Sequence, residues 1–355
     1  MISPARQVAF DILRKVHEGG YASDLLLQRS VQLDSRDAGL ASEIVFGCLR
    51  YEAQLDYLIA RRVPRAPAIE VLIALRMGIY QLRYLDRIPP HAAVSEGVEL
   101  VKRAHQASGA GLVNAILRKT DRTPVPWPDR ATELSMPAWL LDRWDRQFGC
   151  DTTDRIAASF LQPAQSHIAS TGRVQDIGAQ SIVPLLDLHP GQTFLDLCAA
   201  PGNKTAQALQ LGVRVIASDI HLHRLKQMRD LNCPLVVLDG TRSLPFREGP
   251  DRLMFDRILI DAPCSGTGTL GRNPEIKWRL RASDLVDLHA KQVALVREAL
   301  KHLKPGGRLV YSTCSLEKEE NELVIQEVPA AWQITERLPG FNPGDGFFAA
   351  VCSAT

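Results

Sequence analysis

The chain has 355 residues, of which 45% are hydrophobic and 23% charged, and its 42 basic and 40 acidic residues give a formal net charge of +2. This length predicts two domains that each bury a core, which excludes peptide hormones and small disulfide scaffolds. No apolar run approaches the roughly 18 residues that a membrane span needs, and no secretory signal opens the chain, so we expect a soluble, cytoplasmic protein.

The cysteines and the basic residues narrow the function class further. The seven cysteines are scattered without a Cys-x-x-Cys pair, which favours reduced thiols over a disulfide framework or a zinc site. Residues 1–125 hold 17 Lys and Arg against 13 Asp and Glu, and 32 of the 42 basic residues in the chain are Arg. Arginine suits phosphate and base stacking, so the bias hints at nucleic acid, although a GC-rich genome produces it too.

The first third of the chain has a helical pattern. From residue 5 to about residue 122 the apolar residues recur at helical spacing, which predicts a bundle of six or seven helices. Asp34 and Ser35 open one helix, and prolines at 64, 67, 89 and 90 separate others. Residues 123–128 then place three prolines in five positions, a composition typical of an extended linker. We therefore predict a domain boundary near residue 125.

Beyond the linker, short β-branched runs alternate with helical stretches, which predicts a parallel sheet built from βαβ units. The predicted strands cover residues 193–197, 214–218, 235–238, 257–260 and 308–312, and a hairpin of 332–336 and 347–352 lies at the sheet edge. Polar residues follow the five strands at or just past their carboxyl ends, where open α/β sheets bind ligands. These residues are Asp196, Asp219, Asp239, Asp261 and Cys314.

The first motif, DLCAAPGNKT at residues 196–205, predicts a strand, a turn of small residues and a helix from about Thr205. It has neither the P-loop nor the dinucleotide-binding glycine spacing, so it suits a smaller ligand that approaches backbone amides at a helix start. Asp219 is placed to accept hydrogen bonds from ribose hydroxyls, and Asp239 to contact a purine edge. A single aspartate in such a place is usually a loop cap, but three at successive strand ends favour a ligand site.

The second and third motifs, DAPCSGTG at residues 261–268 and YSTCSLEKEEN at 311–321, each place a thiol directly after a buried strand. A single cysteine there is usually an inert core residue. Cys264 and Cys314, however, share one rim of the sheet with the carboxylate of Asp261. Two thiols, an acid and a ligand-binding crevice together predict covalent catalysis on an electrophilic ring.

In this order, the three motifs resemble those of the RNA (cytosine-5) methyltransferase family. The helical front, with Arg6, Ala9 and Arg50-Tyr51, is similar to the NusB-like RNA-binding domain of the bacterial Sun or RsmB type, the 16S ribosomal RNA methyltransferase B-like members. The resemblance implies an all-α NusB-like bundle followed by an α/β Rossmann-like class I methyltransferase domain. The implied domains are residues 1–125, a linker with a reduced RNA-binding subdomain at 126–175, and the methyltransferase domain at 176–355.

The resemblance also implies the chemistry, which is methyl transfer from S-adenosylmethionine to carbon 5 of a cytosine in RNA, with 16S ribosomal RNA favoured. Cys314 is then the nucleophile, Cys264 helps resolve the covalent adduct, and Asp261 stabilises the charge that the ring acquires. We expect a monomer and no metal. The residues implied to hold the cofactor are Cys198, Ala199, Ala200, Pro201, Gly202, Asn203, Lys204, Asp219, Arg224, Asp239 and Asp261.

Two features depart from the family pattern. Asn203 replaces the usual glycine and should still permit a turn, since Asn tolerates left-handed geometry. Residues 133–175 leave room for little beyond two helices and a short strand, so the middle RNA-binding subdomain is reduced. A basic groove for a base that has left its stack is also expected, and the candidates for it are Arg272, Lys277, Trp278 and Arg279.

Several alternatives stay open. Cys264 could be the nucleophile instead of Cys314, or the substrate could be transfer RNA. The chain could also be a non-catalytic RNA-binding or antitermination scaffold. A metal site at His221-x-His223 lacks further ligands nearby, and an amino-group methyltransferase is disfavoured because Asp-Ala-Pro-Cys replaces its usual strand-end signature.

Overall fold

The computed structural model, which describes residues 2–165, 167–246 and 253–354, divides into two units. The first comprises Met1–Pro163 and Leu270–Arg279, and the second comprises Ala164–Thr269 and Leu280–Thr355. The predicted domain limits at residues 125 and 175 concern independent folding, which contacts within a chain do not test, so they stay a prediction. No helix among the described residues is long and apolar enough to cross a membrane.

The first unit is helical, as the apolar spacing predicts. Asp34 caps α3 by accepting a hydrogen bond from the Asp37 amide at 2.8 Å. Arg6 is buried on α1 and reaches Glu96 at 2.9 Å and Gln81 at 2.6 Å. Up to residue 163 the helices are α1 (Pro4–His17), α2 (Ala22–Ser30), α3 (Ser35–Arg50), α4 (Glu52–Ala60), α5 (Ile69–Tyr84), α6 (Pro90–Arg103), α7 (Ala110–Arg118), α8 (Arg130–Glu133), α9 (Ala138–Phe148) and α10 (Cys150–Ser159).

The later helices lie before or between the strands along the chain. They are α11 (Ile177–Gln180), α12 (Asn203–Leu209), α13 (Leu222–Leu225), α14 (Ile276–Arg279), α15 (Ala282–Leu300) and α16 (Glu322–Gln326). Helix α14 belongs to the first unit and the other five to the second. Before α11 the chain forms an isolated antiparallel bridge between Ile168 and Val174, and the Asp176 side chain caps α11.

A seven-stranded sheet organises the second unit in the order β3-β2-β1-β4-β5-β7-β6. The first five strands in that order are parallel, and β7 and β6 are antiparallel to their neighbours, so the predicted edge hairpin is confirmed. The strands are β1 (Thr193–Asp196), β2 (Arg214–Asp219), β3 (Leu235–Val237), β4 (Phe255–Asp261), β5 (Leu303–Thr313), β6 (Gln333–Arg337) and β7 (Phe347–Ser353).

Helices bury both faces of this sheet, which explains why its strands are continuous apolar runs. Successive residues of β4 point to opposite faces: Ile258 and Ile260 pack in one core cluster with Val296 of α15, and Leu259 packs in the other with Ala208 of α12. The predicted fold class, a helical bundle followed by a Rossmann-like α/β domain, is confirmed. Such a sheet presents its ligand site at the carboxyl ends of the parallel strands.

Candidate active site

The predicted polar residues lie where the sequence places them, at the carboxyl ends of the parallel strands. Asp196, Asp219 and Asp261 are the last residues of β1, β2 and β4. Asp239 follows β3 by two residues, and Cys314 directly follows β5. Because these strands are neighbours in the sheet, their ends form one continuous rim.

The loop after β1 turns at Gly202, not at Asn203. Gly202 has φ 97° and serves as the N-cap of α12, whereas Asn203 is the first helical residue. The Asn203 side chain donates to the Val174 carbonyl at 3.2 Å. The helix therefore begins two residues earlier than predicted, and the left-handed position is held by a residue without a Cβ, as the steric argument requires.

The other residues implied to hold a cofactor surround this turn. Arg224 donates to the Ala200 carbonyl at 3.0 Å and lies 3.6 Å from Asp219, whose other oxygen accepts from the His221 amide at 2.8 Å. The Asp239 carboxylate accepts from the Thr241 hydroxyl at 2.6 Å, which lowers the pKa of Asp239. Both carboxylates are thus fixed as hydrogen-bond acceptors by donors two residues further along their own loops.

Asp196 is the most strongly perturbed acid at the rim. Burial raises its pKa to about 7, although the Thr205 hydroxyl donates to its Oδ2 at 2.7 Å and opposes the shift. Its Oδ1 is buried and has no hydrogen-bond partner within the described chain. A buried oxygen without a donor is costly, so this atom marks a place where a ligand donor fits.

This burial predicts a pH-dependent stability. An unfolded aspartate has a pKa near 3.9, whereas the pKa of Asp196 in the folded protein is about 7. The folded state therefore binds the proton more tightly, and the resulting stabilisation is complete below pH 4 and is lost as the pH rises through 7. Between pH 5 and pH 8 we expect the unfolding free energy of the wild type to fall by about 3 kcal/mol relative to Asp196→Asn. Urea unfolding of both proteins at the two pH values measures this difference, and parallel pH dependences would contradict it.

Lys204 and Asp261 form an ion pair beside the thiols. Lys204 Nζ lies 2.5 Å from Asp261 Oδ2, and the Ser312 hydroxyl donates to Asp261 Oδ1 at 3.0 Å. Burial lowers the pKa of Lys204, but attraction to Asp261, their hydrogen bond and the charge of Cys314 outweigh it and leave the pKa raised. The sequence places Lys204 in the predicted cofactor loop but carries no signal for its ion pair with Asp261.

The two sulfur atoms meet at the same rim. Cys264 Sγ and Cys314 Sγ are 3.4 Å apart, and both residues are partly exposed. The hydrogen bond to Cys314, followed by burial, raises the pKa of Cys264 well above its usual range. The predicted convergence of the two cysteines is confirmed. Cys198, by contrast, has its pKa raised mainly by burial.

A buried glutamate connects the two cysteine loops. Glu320 is fully buried, and its carboxylate accepts hydrogen bonds from the Ser265 amide at 2.8 Å, the hydroxyls of Ser265 and Ser315, and the Gln292 amide group at 3.0 Å. Ser265 follows Cys264, and Ser315 follows Cys314. One carboxylate therefore joins the loops that carry Cys264 and Cys314 to the same point.

The backbones of the two cysteine loops also contact each other directly. The Gly268 amide donates to the Cys314 carbonyl at 2.9 Å, and a Cβ at Gly268 would lie 2.6 Å from the Gly346 oxygen. Asn321 accepts from the Thr313 hydroxyl at 2.6 Å and donates to the Ser315 carbonyl at 3.0 Å. Glu320 and Asn321 end the YSTCSLEKEEN motif, but the sequence alone does not predict these contacts for them.

We predict a large effect when the Glu320 carboxylate is removed. Glu320→Ala removes the acceptor of the buried Ser265 amide and leaves the Ser265 and Ser315 hydroxyls, 3.0 Å apart, with fewer acceptors than donors, at about 1–3 kcal/mol for each unsatisfied group. We expect a loss of several kcal/mol in unfolding free energy and most of the activity, with a smaller loss for Glu320→Gln, which keeps the shape. Glu327→Ala removes a carboxylate that is 49% exposed and is the control. Equal urea midpoints for the two alanine variants would contradict this prediction.

The predicted RNA-contacting residues 272–279 are placed differently from the expectation. Lys277 is 1% exposed and donates to the Arg50 carbonyl at 2.9 Å, and burial lowers its pKa to about 7. Arg279 donates to the carbonyls of Val16, Gly19 and Gly20. The expectation of an RNA contact is therefore wrong for Lys277, because the first unit buries its side chain almost completely.

The two histidines of the alternative metal site lie at the start of α13. His221 precedes this helix and His223 lies within it, and their ring centroids are 5.4 Å apart. Within residues 2–165, 167–246 and 253–354, no group of three or more His, Cys, Asp or Glu side chains could hold a metal ion.

Comparisons with known proteins agree with the fold and with the ordered motifs. The profile of the family 16S rRNA methyltransferase RsmB/F matches residues 183–336, and that of the NusB family matches residues 3–122. The probable ribosomal RNA small subunit methyltransferase B of Bacillus subtilis (strain 168) is 30% identical, covering 95% of this chain and 89% of the relative. The chain belongs to the ribosomal RNA small subunit methyltransferase B family.

Other members and solved structures extend this result. The family protein of Klebsiella pneumoniae (strain 342) is 31% identical over 97% of each chain. The crystal structure of PH0851 covers 99% of each chain at 20% identity with a TM-score of 0.79, and a methyltransferase homologue from Pyrococcus horikoshii covers 65% of this chain at 24% identity with a TM-score of 0.54. The two structures support the fold, and the relatives confirm the family predicted from the motifs.

Proposed function

We propose that this family member transfers a methyl group from S-adenosylmethionine to carbon 5 of a cytosine in RNA, through a covalent bond between Cys314 and the base. Small-subunit ribosomal RNA is the favoured substrate, because the relatives carry that name. The observation that carries the proposal is the 3.4 Å approach of the Cys264 and Cys314 sulfurs, beside the ion pair of Lys204 and Asp261.

Carbon 5 of cytosine is a poor nucleophile, so the ring must first be activated. The Cys314 thiolate adds to carbon 6, which breaks the double bond between carbons 5 and 6 and moves its electron pair into the ring as an enamine. The cation of Lys204 lies within electrostatic reach of Cys314, and the attack requires the thiolate form of the nucleophile.

Addition of the thiolate places negative charge on the N3 side of the ring, and Asp261 is the residue proposed to stabilise this charge. In its ion pair with Lys204, Asp261 already accepts a hydrogen bond from an ammonium group. A proton or hydrogen bond supplied through this pair would stabilise the developing charge, which is where preorganised polar groups contribute most to catalysis.

S-adenosylmethionine supplies the methyl group that carbon 5 takes up. The residues present fit this cofactor, because the unpartnered Oδ1 of buried Asp196 offers an acceptor, and the left-handed Gly202 exposes the start of α12. Asp219 and Asp239 present carboxylates for ribose hydroxyls and the adenine edge, with Arg224 beside Asp219. Residues 198–204 form the turn that follows β1 and the first two residues of α12.

The reaction closes when carbon 5 loses its proton and the bond from carbon 6 to Cys314 breaks, which restores the aromatic ring and the thiolate. We propose that Cys264 assists this step by accepting the proton from carbon 5, since its sulfur lies 3.4 Å from that of Cys314. The target cytosine must leave any base stack to reach the strand ends, as in other enzymes that modify a base.

Two experiments test the proposal. Bisulfite sequencing of ribosomal and transfer RNA from a deletion strain should reveal one cytosine that loses protection and regains it when the gene is restored. A position in transfer RNA would shift the substrate, and no lost position in any RNA would contradict the activity. Calorimetry with S-adenosylmethionine should give saturable binding, whereas its absence would favour the non-catalytic scaffold.

A further inference from the structure

A cavity of about 260 Å³ lies within the first unit. Its walls come from α1, α3 and α5 and from residues 270–279, the segment that contains α14. Apolar side chains form part of the lining, among them Leu13, Leu49 and Ile73. One water takes up about 30 Å³ in the liquid, so the cavity is several times larger than a single solvent molecule. Apolar walls that carry a few polar groups are typical of small-molecule sites.

Hydrogen bonds fix residues 270–279 against the helices of the first unit. The Ala22 amide donates to Glu275 Oε1 at 2.9 Å, and Lys277 donates to the Arg50 carbonyl at 2.9 Å. The Arg50 side chain in turn donates to a backbone carbonyl of the segment at 3.2 Å. The wall that this segment contributes is therefore formed in advance, so a ligand does not have to order it.

Two buried polar atoms in the cavity wall lack a partner. Glu275 is 2% exposed, and its Oε2 accepts no hydrogen bond within the described residues. The indole Nε1 of Trp278 is also buried and donates to no acceptor in that part of the chain. Both side chains line the cavity. Because a buried polar atom without a partner is costly, one acceptor and one donor here call for a molecule that satisfies both.

The charges around the cavity favour a cation. Arg76 pairs with Asp56 at 2.6 Å and with Glu52 at 3.1 Å, so one guanidinium serves two carboxylates. Arg279 donates to three backbone carbonyls at the end of α1 and just beyond it. Burial raises the pKa of Glu52, which shows that negative charge is poorly solvated here. The free oxygen of Glu275 adds a further carboxylate, and a buried carboxylate is costly until a donor or a cation compensates it.

We propose that this cavity binds a small organic ammonium ion that also carries a hydrogen-bond acceptor. The ammonium group donates to Glu275 Oε2, and the acceptor receives the N–H of Trp278. The indole ring is also a favourable neighbour for a cation. His17 at the cavity is exposed and Trp278 is partly exposed, which gives the ligand a path from solvent. The inference is independent of the proposed function, since every lining residue belongs to the first unit.

Three probes of similar size separate the parts of this proposal. The compound 3-amino-1-propanol carries an ammonium group and an acceptor, butylamine lacks the acceptor, and 1,3-propanediol lacks the charge. Saturation-transfer NMR on the full chain at neutral pH measures a dissociation constant for each probe. We expect 3-amino-1-propanol to bind at least about tenfold more tightly than either of the others, because each of them leaves one buried group of the cavity without its partner.

Matched variants locate the binding in this cavity. Glu275→Gln removes the charge and keeps the shape, and Trp278→Phe removes the N–H and keeps an aromatic ring. Each should weaken the binding of 3-amino-1-propanol by about tenfold. The controls make the same changes outside the cavity and should bind the probe as the wild type does. They are Glu99→Gln, at an exposed carboxylate of α6, and Trp332→Phe, in the second unit.

Urea midpoints show which variants are folded, and if Glu275→Gln fails to fold, Trp278→Phe decides. Wild-type affinity for 3-amino-1-propanol in the folded cavity variants would overturn the proposal, because the probe would then bind elsewhere. No saturable binding of any probe would also overturn it and would mean that the cavity holds solvent alone. Equal affinity for 1,3-propanediol would show that the charge is not recognised, and equal affinity for butylamine would show the same of the acceptor; either result contradicts the proposed ligand class.

Discussion

Cys314→Ser should abolish methyl transfer to RNA, with a loss of about 10⁴-fold or more in kcat. The substitution exchanges one atom, yet a serine hydroxyl is scarcely ionised at neutral pH, and nearby Lys204 cannot make it a nucleophile comparable to a thiolate. Removal of the nucleophile in a covalent mechanism typically costs several orders of magnitude, because other groups cannot replace it.

The structure lets a folding defect be distinguished from a chemical one. The Cys314 backbone carbonyl accepts a hydrogen bond from the Gly268 amide, and this contact does not involve the side chain. Cys314→Ser should therefore keep the wild-type urea midpoint and the affinity for S-adenosylmethionine. Cys150→Ser changes an exposed thiol of the first unit and serves as the matched control, with full activity expected.

This measurement decides between the two candidate nucleophiles. The competing hypothesis assigns attack to Cys264, the thiol of the Asp-Ala-Pro-Cys motif. Under that hypothesis Cys264→Ser loses all activity, and Cys314→Ser continues to methylate. Transfer of a tritiated methyl group to ribosomal RNA lacking the modification measures both variants, and activity in Cys314→Ser above a percent of wild type would rule out our assignment.

The sequence predicts the sheet well because the signals are local. Buried parallel strands are apolar runs of four to eight residues, and Gly and Pro mark where they end, so the sequence predicts the aspartates that end β1, β2 and β4 and the cysteine that follows β5. The roles of these residues in catalysis and cofactor binding remain predictions, since placement at one rim does not demonstrate chemistry.

Other features depend on tertiary contacts that no local pattern carries. Glu320 is fully buried and reaches the Ser265 amide, 55 residues earlier in the chain, a contact that exists only in the folded protein. Lys277 is a basic residue in a segment predicted to contact RNA, yet its side chain is buried inside the first unit and donates to the Arg50 carbonyl. The shift of the left-handed turn from Asn203 to Gly202 arises because glycine adopts positive φ without steric cost.

Cys264→Ser should convert the enzyme into one that stays covalently attached to its RNA. In the free enzyme the pKa of Cys264 is raised, first by the hydrogen bond to Cys314 and then by burial. Once Cys314 is bonded to carbon 6 of the base, its thioether sulfur has no proton to donate and is only a weak hydrogen-bond acceptor, so the first of these causes weakens. Cys264 then loses its proton more readily at the moment when carbon 5 must give one up.

Serine cannot take that part, because its hydroxyl stays protonated and is a poor base. Attack by Cys314 remains possible in Cys264→Ser, whereas release is slow, and the adduct should accumulate to nearly one RNA per protein. A band of protein linked to radiolabelled RNA that survives denaturing electrophoresis measures it, and excess unlabelled RNA should not chase it.

The double variant Cys264→Ser with Cys314→Ser is the decisive control. It keeps the altered Cys264 position but lacks the proposed nucleophile, so the linked band should vanish while affinity for S-adenosylmethionine persists. If the band remained in the double variant, another residue would form the bond. If Cys264→Ser turned over at the wild-type rate with no band, Cys264 would have no part in release, and the 3.4 Å sulfur contact would serve structure alone.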